Sequence, residues 1–252
     1  MLALQRHREI QQLLQRKGSV RTVDLAARLK VTDETIRRDL ETLENEGRLI
    51  RTHGGAVRRD EIHQDLPLDT RQLQQRDEKE RIGRAAVSRI KPHDIIMLDA
   101  SSTALQVAVQ MPDMPVTVIT NAHNVITTLQ DRSSVRIVAT GGVYDRQSRS
   151  YIRTGPVGLL ARTNIDIFFF SGNGIDPQRG VSEINEDQAQ LKAAFMPLAS
   201  QVCCLADHTK LFAKSSYFFA GLDQIDVLIT DSQTDADSLK TLEEHGIAIE
   251  VV

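Results

Sequence analysis

The sequence has little of what stabilises small secreted proteins. Tryptophan is absent, aromatic residues make up 4% of the chain, and the two cysteines, Cys203 and Cys204, are adjacent. Neighbouring side chains of a strand point to opposite faces, so we expect no disulfide between these residues. We expect two small buried thiols instead, and a reducing compartment.

Signals for a membrane, for secretion or for a metal are also lacking. No apolar run approaches the length that spans a bilayer, and the apolar start of the chain gives way at once to Arg6-His-Arg8. The seven histidines show no H-x-x-x-H spacing, and the cysteines show no C-x-x-C spacing. We therefore expect a cytoplasmic protein with no membrane partner and no metal site.

The charge is divided unevenly along the chain. The net charge is −3, yet residues 1–60 hold 13 Lys and Arg against 9 Asp and Glu, whereas residues 61–252 hold 18 against 25. A basic head on an acidic body is typical of a DNA-binding protein whose larger part is kept away from the duplex.

The basic head has the pattern of a winged helix–turn–helix. Apolar residues recur at helical spacing in two short segments, first at Leu25, Ala26 and Leu29 and then at Ile36, Leu40 and Leu43. We expect Thr22 and Thr32 to be the N-caps of these helices, and Gly47 to end the second. A helix over residues 3–16 precedes them. Residues 49–57 predict two short strands around Gly54-Gly55, with a minor strand at residues 19–21.

The polar face of the second helix predicts DNA contacts. Arg37 and Arg38 stand beside short polar residues, a combination that can enter a major groove and reach base edges or phosphates. The alternative without a function in DNA binding is an amphipathic helical hairpin with solvated charges. The caps, the tight turn and the glycine hairpin favour a DNA-binding domain. The predicted DNA-binding residues are Thr22, Thr32, Glu34, Thr35, Arg37, Arg38, Arg51 and His53, with Arg58 and Arg59 also positioned near phosphates.

The rest of the chain predicts a polar linker and an α/β body. Residues 59–77 are polar with one proline, and we expect a partly extended connection between a DNA-binding domain at 1–58 and a body at 78–252. Apolar strand candidates alternate with helices, which predicts a mainly parallel sheet. The strands are 94–98, 116–120, 135–139, 165–171, 202–206, 227–230 and 247–251, and the helices are 78–90, 102–110, 122–130, 155–162, 187–199 and 236–244.

Small polar residues follow the predicted strands. The carboxyl ends of parallel strands meet at one edge of the sheet, where ligands bind. Ser101-Ser102-Thr103 also begins a helix, whose free N–H groups favour an anion such as phosphate. We predict a site there for a phosphorylated sugar, with no other cofactor. Its residues are Asp99, Ser101, Ser102, Thr103, Thr120, Asn121, Gly141, Gly142, Gly172, Asn173, Gly174, Lys192, Asp207 and Lys210.

These motifs resemble the DeoR family of bacterial transcription regulators over nearly the whole chain. Thr35-Ile-Arg-Arg-Asp-Leu40, followed by Glu44, Gly47 and His53-Gly-Gly55, looks like the family's N-terminal signature. The loop Asp99-Ala-Ser-Ser-Thr103 is similar to the family's Asp-x-Gly-Thr-Thr, and its serines resemble the fucose-operon branch. The departure at Lys30, where such turns often carry glycine, predicts a turn that is not left-handed.

The resemblance implies a winged helix–turn–helix and a sensor domain similar to sugar-phosphate isomerases, which binds a phosphorylated sugar. It implies a repressor in most of the family, whereas the fucose-operon branch includes activators. We expect a homodimer or homotetramer on double-stranded operator DNA, regulating a carbohydrate-utilisation operon.

Two other classes of protein remain as alternatives. A sugar-phosphate isomerase with an appended DNA-binding head needs a carboxylate base, for which Asp99, Glu183, Glu186 and Asp207 are candidates. Their spacing singles out no acid–base pair, so we predict no catalytic residue and no enzyme. A nucleotide switch is disfavoured because the sequence lacks G-x-x-x-x-G-K-[ST].

Overall fold

The computed structural model describes residues 3–17, 19–45, 48–52, 54–57, 66–152, 158 and 160–252. The chain forms two compact units, Met1–Gln64 and Asp65–Val252, here called the head and the body. Each is described by itself.

The head combines three helices with a small antiparallel sheet. Its elements are α1 (Ala3–Lys17), β1 (Ser19–Arg21), α2 (Thr22–Leu29), α3 (Asp33–Asn45), β2 (Ile50–Thr52) and β3 (Gly55–Val57), and the strand order is β1-β3-β2. A Cβ on Gly55 would lie 1.9 Å from the Val20 carbonyl oxygen, so only glycine lets β3 pair this closely with β1. The predicted helix pair, hairpin and minor strand are all confirmed.

The apolar stripes predicted for α2 and α3 form the core of the head. Ile36, Leu40 and Leu43 are at most 1% exposed, and Val31 in the turn packs against the same cluster. Burial of these side chains, about 1.5–3 kcal/mol each relative to exposure, holds the two helices across their turn.

Two details of the helix–turn–helix differ from the sequence-based prediction. Arg21, not Thr22, occupies the N-cap of α2; Thr22 is buried as the first helical residue, and its N–H donates to the Gly54 carbonyl. Lys30 does adopt the left-handed conformation, with φ 55° and ψ 47°, and this turn lets the Val31 N–H donate back to the Ala26 carbonyl at 3.1 Å. Thr32 is confirmed as a cap, since its Oγ1 accepts from the Thr35 N–H at 3.3 Å. Gly47, His53, Arg58 and Arg59 lie outside the described residues.

The body is built around a seven-stranded parallel sheet. The described strands of the body, in this sheet and in two smaller ones, are β4 (Ile95–Leu98), β5 (Val116–Thr120), β6 (Val135–Ala139), β7 (Val143–Asp145), β8 (Ser150–Ile152), β9 (Ile165–Phe170), β10 (Gly174–Asp176), β11 (Gly180–Glu183), β12 (Ala199–Leu205), β13 (Tyr217–Ala220), β14 (Val227–Thr230) and β15 (Ala248–Val251). The main sheet has the order β15-β14-β12-β9-β4-β5-β6, and every pairing in it is parallel, as predicted.

Helices and apolar clusters cover both faces of this sheet. The helices are α4 (Leu68–Leu73), α5 (Arg76–Val87), α6 (Ser102–Gln110), α7 (His123–Leu129), α8 (Glu186–Phe195) and α9 (Ala236–Glu243). Phe169 belongs to one buried cluster, whereas its neighbours Phe168 and Phe170 belong to the other. Cys203 and Cys204 are divided in the same way, and both are free, as expected. Burial raises the pKa of both thiols.

The structure corrects the prediction of an extended linker. Helix α4 lies within residues 59–77, and Leu68 is 3% exposed, with its N–H donating to the Gln147 carbonyl at 3.0 Å. Residues 58–65 are outside the described part. The sequence also did not predict the β7–β8 hairpin or the small antiparallel sheet β10-β11-β13. Of the helix predicted at 155–162, the described part is a 3-10 turn at Leu160–Arg162. Among the described residues, no helix has both the length and the apolar character that crossing a membrane requires.

A buried carboxylate joins α1 to α3 in the head. Asp39 is 5% exposed and accepts from Arg6 Nε at 2.7 Å and Arg6 Nη2 at 2.9 Å, while His7 Nε2 lies 3.0 Å away. Burial raises the pKa of Asp39, but the hydrogen bonds and charge of Arg6 and His7 outweigh it, so this pKa lies below its ordinary value. The carboxylate therefore contributes stability above about pH 4, which is lost as the pH falls through the lowered pKa.

Replacing Asp39 with asparagine should loosen the head. The change removes charge-assisted hydrogen bonds, and we expect the opening free energy of α1 and α3 at pH 7 to fall by about 1.5–3 kcal/mol. Hydrogen exchange of these helices in the full chain measures it. The matched control is Glu41→Gln, an exposed acid on the same helix. Equal exchange in the two variants would contradict the assigned role.

Candidate nucleic-acid interface and ligand site

Helix α3 presents a polar face beside its buried stripe. Glu34, Arg37 and Arg38 are exposed and Thr35 is half-buried, whereas Ile36 is fully buried. Arg38 Nε donates to Glu34 Oε1 at 3.2 Å, but both side chains are more than 60% exposed, so this ion pair is worth little. Both arginines are therefore available to phosphates or base edges.

The other predicted DNA-binding residues of the head differ in their exposure to solvent. Thr32 is exposed at the start of α3, and Arg51 is exposed on the wing, where its N–H donates to Glu44 Oε1 at 2.9 Å. Thr22 is 8% exposed against the wing. A helix with an exposed arginine face, preceded by a tight turn and followed by a strand hairpin, is the arrangement that reads a major groove.

In the body, a solvent-open cleft of about 370 Å³ lies where β4 and β9 end. Six of its eleven lining residues were predicted to bind the effector, and five were not. The lining residues are Arg71, Gln74, Lys79, Ser101, Ser102, Thr103, Ser171, Gly172, Asn173, Glu183 and Lys210.

The amino end of α6 forms one wall of the cleft. Ser101 is its N-cap: Ser101 Oγ accepts from the Ala104 N–H at 3.0 Å and donates to Asp99 Oδ1 at 2.5 Å. The first N–H groups of an α-helix have no partner within it, so Ser102 and Thr103 offer amides to a ligand. Together with the helix dipole, these amides favour an anion.

A buried ammonium group lies beneath the cleft. Lys192 Nζ is 3.0 Å from Asp99 Oδ2, donates to the Ser171 carbonyl at 2.7 Å and bonds to Glu183 Oε2. Burial lowers the pKa of Lys192, but the attraction of Asp99 and Glu183 outweighs it and raises that pKa above its ordinary value. Lys192 therefore stays charged and ties together the loops after β4 and β9 and the end of β11.

Three basic side chains lie along the other side of the cleft. Lys79 Nζ donates to the carbonyls of Arg71 and Gln74, both at 2.7 Å. Burial lowers the pKa of Lys79 to about 8, with Lys210 and Arg71 lowering it further against the attraction of Asp207 and Glu78.

One buried carboxylate faces these cations. Burial raises the pKa of Asp207, but Lys210, Lys79 and the hydrogen bonds from Thr209 outweigh it and leave the pKa below its ordinary value. Asp207 is thus ionised, and with Glu78 it is one of two carboxylates that attract the three cations Arg71, Lys79 and Lys210. The excess of positive charge favours an anionic ligand.

The predicted effector residues fall into three groups. Ser101, Ser102, Thr103, Gly172, Asn173 and Lys210 line the cleft. Asp99, Lys192 and Asp207 are buried around it and position the residues that do. The remaining five lie outside its lining: Thr120, Asn121, Gly141, Gly142 and Gly174.

The members of the third group have structural explanations. Thr120 Oγ1 donates to the Leu98 carbonyl at 2.7 Å, and Asn121 Nδ2 donates to Gln188 Oε1 at 3.2 Å, whereas the buried Oδ1 of Asn121 has no hydrogen-bond partner among the described residues. A Cβ on Gly174 would lie 2.4 Å from the Ala213 carbonyl oxygen, which explains this glycine by close approach of two backbones. Gly141 and Gly142 turn the chain at φ 70° and 124° before β7.

Sequence reasoning missed the residues supplied by α4, α5 and the β11 end. Arg71 and Gln74 lie in the stretch expected to be a linker, and Lys79 lies in the helix predicted at 78–90, where no role was assigned to it. One signal was present: Lys79 occupies the same helical face as Ile82 and Ala86, and a lysine on an apolar stripe is rarely buried without a partner.

Of the four carboxylates proposed for an isomerase, Glu183 lines the cleft and Asp99 and Asp207 are buried around it, whereas Glu186 is exposed at the start of α8. Asp99 and Glu183 both pair with Lys192, which uses them within the body. Within the described ranges, no group of three or more His, Cys, Asp or Glu side chains could hold a metal ion.

A helix that can read DNA and a separate cleft that can bind a small anion define a ligand-responsive transcriptional regulator. Comparison with known proteins agrees. A model of the DeoR-like helix-turn-helix domain matches residues 6–61, and a model of the DeoR C terminal sensor domain matches residues 74–232. The chain belongs to the DeoR family, whose members are transcriptional regulators and not enzymes.

Relatives match along the whole chain. An uncharacterized HTH-type transcriptional regulator of Bacillus subtilis is 34% identical over 100% of this chain and 98% of its own length. The L-fucose operon activator of Escherichia coli is 33% identical over 94% of this chain and 98% of its own. Among solved structures, the sorbitol operon regulator of Klebsiella pneumoniae has a TM-score of 0.42 at 12% identity, with 96% and 99% coverage. Ribose 5-phosphate isomerase A of Methanocaldococcus jannaschii has a TM-score of 0.40 at 16% identity, with 54% coverage of each chain.

Replacing Lys192 with methionine should destabilise the body. The change leaves Asp99 and Glu183 buried without their cation, which typically costs about 3–5 kcal/mol. Urea denaturation of the full chain, followed by circular dichroism, measures the loss. Lys240→Met, at an exposed lysine of α9, is the control. If both variants unfold at the wild-type urea concentration, Lys192 does not hold the loops together.

Proposed function

We propose that the regulator's effector is a phosphorylated sugar bound in the cleft. The observation that carries the proposal is the convergence of the α6 amides with Arg71, Lys79 and Lys210. A phosphate group suits this end because it accepts several charge-assisted hydrogen bonds at once.

The other lining residues of the cleft suit the sugar part of the ligand. Asn173 and Glu183 line it, and Ser171 adds a small hydroxyl. Amides, carboxylates and hydroxyls are the groups that hydrogen-bond sugar hydroxyls. Relatives named for the L-fucose operon and as a putative aga operon repressor support a carbohydrate-utilisation operon as the target.

We infer that α3 enters the major groove of double-stranded operator DNA, with Arg37 and Arg38 making the main contacts. The wing, with Arg51 and His53, accompanies it along the phosphates, and Thr22, Thr32, Glu34 and Thr35 complete the surface. Two heads of a homodimer or homotetramer would meet half-sites about 34 Å apart. Operator DNA of a bacterium lies in the cytoplasm, which is the compartment we assign.

A screen of phosphorylated sugars tests the effector. A ligand at 100 times its Kd stabilises a protein by about 2.7 kcal/mol, so thermal unfolding of the full chain should shift for one or more sugar monophosphates and not for the free sugars. Lys210→Met should weaken binding at least tenfold, because it removes one cation that contacts the phosphate. The loss of a charged hydrogen bond costs roughly 1.5–3 kcal/mol. Lys240→Met should bind as the wild type. Equal shifts with free and phosphorylated sugars would overturn the phosphate assignment.

Replacing Arg37 and Arg38 together with alanine tests the reading helix. With a duplex from the region upstream of the gene, we expect binding to weaken, and the slope of log K against log salt to fall by about 2. The matched control is the double variant Arg84→Ala and Arg136→Ala, which removes two exposed charges from the body. Unchanged DNA affinity in the α3 variant would refute the assignment of this helix.

A further inference from the structure

The first segment of the body, Leu66–Gln75, lies against the cleft. We name it the strap. It contains α4 and contributes Arg71 and Gln74 to the lining. In the chain, it is the first described segment after the wing strand β3, which ends at Val57.

Few contacts hold the strap to the rest of the body. Leu68 is buried and its N–H donates to the Gln147 carbonyl. Asp69 pairs with Arg149 Nη2 at 2.5 Å, but both side chains are more than 40% exposed, so the pair adds little. Arg71 Nε donates to the Leu66 carbonyl, within the strap itself. Among the described contacts, these are modest for a segment of ten residues.

Lys79 is the strongest polar link between the strap and the body. Its side chain is 4% exposed on α5, next to the buried Ile82, and its Nζ bonds to two strap carbonyls, those of Arg71 and Gln74. An ammonium group has three N–H donors, so one remains for the cleft that Lys79 lines. Among the described residues, no carboxylate pairs directly with Lys79. One side chain thus joins the strap to any anion in the cleft.

The junction between the strap and α5 is a hinge of strained geometry. Gln75 has φ 48° and ψ 44°, the left-handed conformation that costs a residue with a side chain some free energy. Strained positions of this kind persist when surrounding contacts fix them. Here the contacts that fix Gln75 are the hydrogen bonds from Lys79 Nζ to the carbonyls of Arg71 and Gln74, which precede it in the chain.

We propose that the strap is a clamp for the effector's anionic group: the anion binds Arg71 and Lys79 and so fixes the strap on the body. The proposal rests on the proposed function, in which the cleft takes a phosphorylated ligand. Arg71, Lys79 and Lys210 repel one another in the empty cleft, and a bound anion replaces that repulsion with attraction. The ligand then favours the docked strap over the released one, which is the differential affinity that a switch requires.

Sulfate, whose charge is constant through neutral and basic pH, is the probe for the clamp. Hydrogen exchange of the full chain is compared in sulfate and in chloride at equal ionic strength. We expect residues 68–75 to become more protected in sulfate. Arg71→Gln should weaken sulfate binding about tenfold and abolish this protection, since a charged hydrogen bond is lost. Arg76→Gln, an exposed arginine paired with Glu80 just beyond the hinge, is the matched control and should change neither.

The outcomes separate the clamp from the site itself. If Lys210→Met weakens sulfate binding while Arg71→Gln binds as the wild type and residues 68–75 gain no protection, the clamp is wrong and the anion site stands. If the wild type binds neither sulfate nor any sugar phosphate, the site is wrong and the clamp falls with it. The clamp is supported if Arg71→Gln binds sulfate more weakly and loses the protection of residues 68–75, while Arg76→Gln changes neither.

A pH profile tests whether Lys79 contacts the anion or only supports the strap. The groups facing Lys79 are Asp207, Lys210, Arg71 and Glu78, and its pKa in the empty cleft is about 8. A bound anion favours charged Lys79, so sulfate affinity should fall as the pH rises above 8, by up to about tenfold per unit. Lys79→Arg keeps the charge and the donors, and its affinity should stay flat between about pH 8 and pH 9.5. Identical profiles in the wild type and Lys79→Arg would remove Lys79 from the clamp.

Discussion

The ligand cleft depends on one buried charge, the ammonium group of Lys192. Asp99, Ser171 and Glu183 come from three separate strand ends, and each bonds to this nitrogen. Burying these two carboxylates without the cation between them would be costly. Asp99 in turn holds Ser101, which caps α6 and so directs the helix amides into the cleft. A residue that does not line the cleft thus determines the position of those that do.

The parallel sheet was predictable because its signals are local. Residues 116–120, 135–139 and 227–230 are short segments rich in Val and Ile, and the structure gives strands with those bounds. The carboxyl ends of such strands share one edge, which is why Ser102 and Lys210 could be assigned to one site without a structure. In contrast, α4 has six residues and one buried side chain, Leu68, and its sequence gives no helical pattern.

Tertiary contacts explain what the sequence did not provide. Lys79 reaches the cleft only because α5 packs against α6, and Arg71 only because the strap folds back over the strand ends. Conversely, Asn121 and Gly142 follow strands β5 and β6 and were grouped with the site on that ground. The cleft lies instead at the ends of β4 and β9, so residues one and two strands away make other contacts. Position in the strand order decides which strand ends contribute.

The distribution of charge separates the two ligands of the regulator. The body is acidic overall, with 25 Asp and Glu against 18 Lys and Arg in residues 61–252. DNA, a long polyanion, is repelled by that field, whereas a small anion that enters the cleft is surrounded by Arg71, Lys79 and Lys210. Coupling between two ligands is reciprocal, so the operator must change effector affinity by the same factor by which the effector changes operator affinity. The direction of that factor decides whether the effector releases the protein from the operator or recruits it.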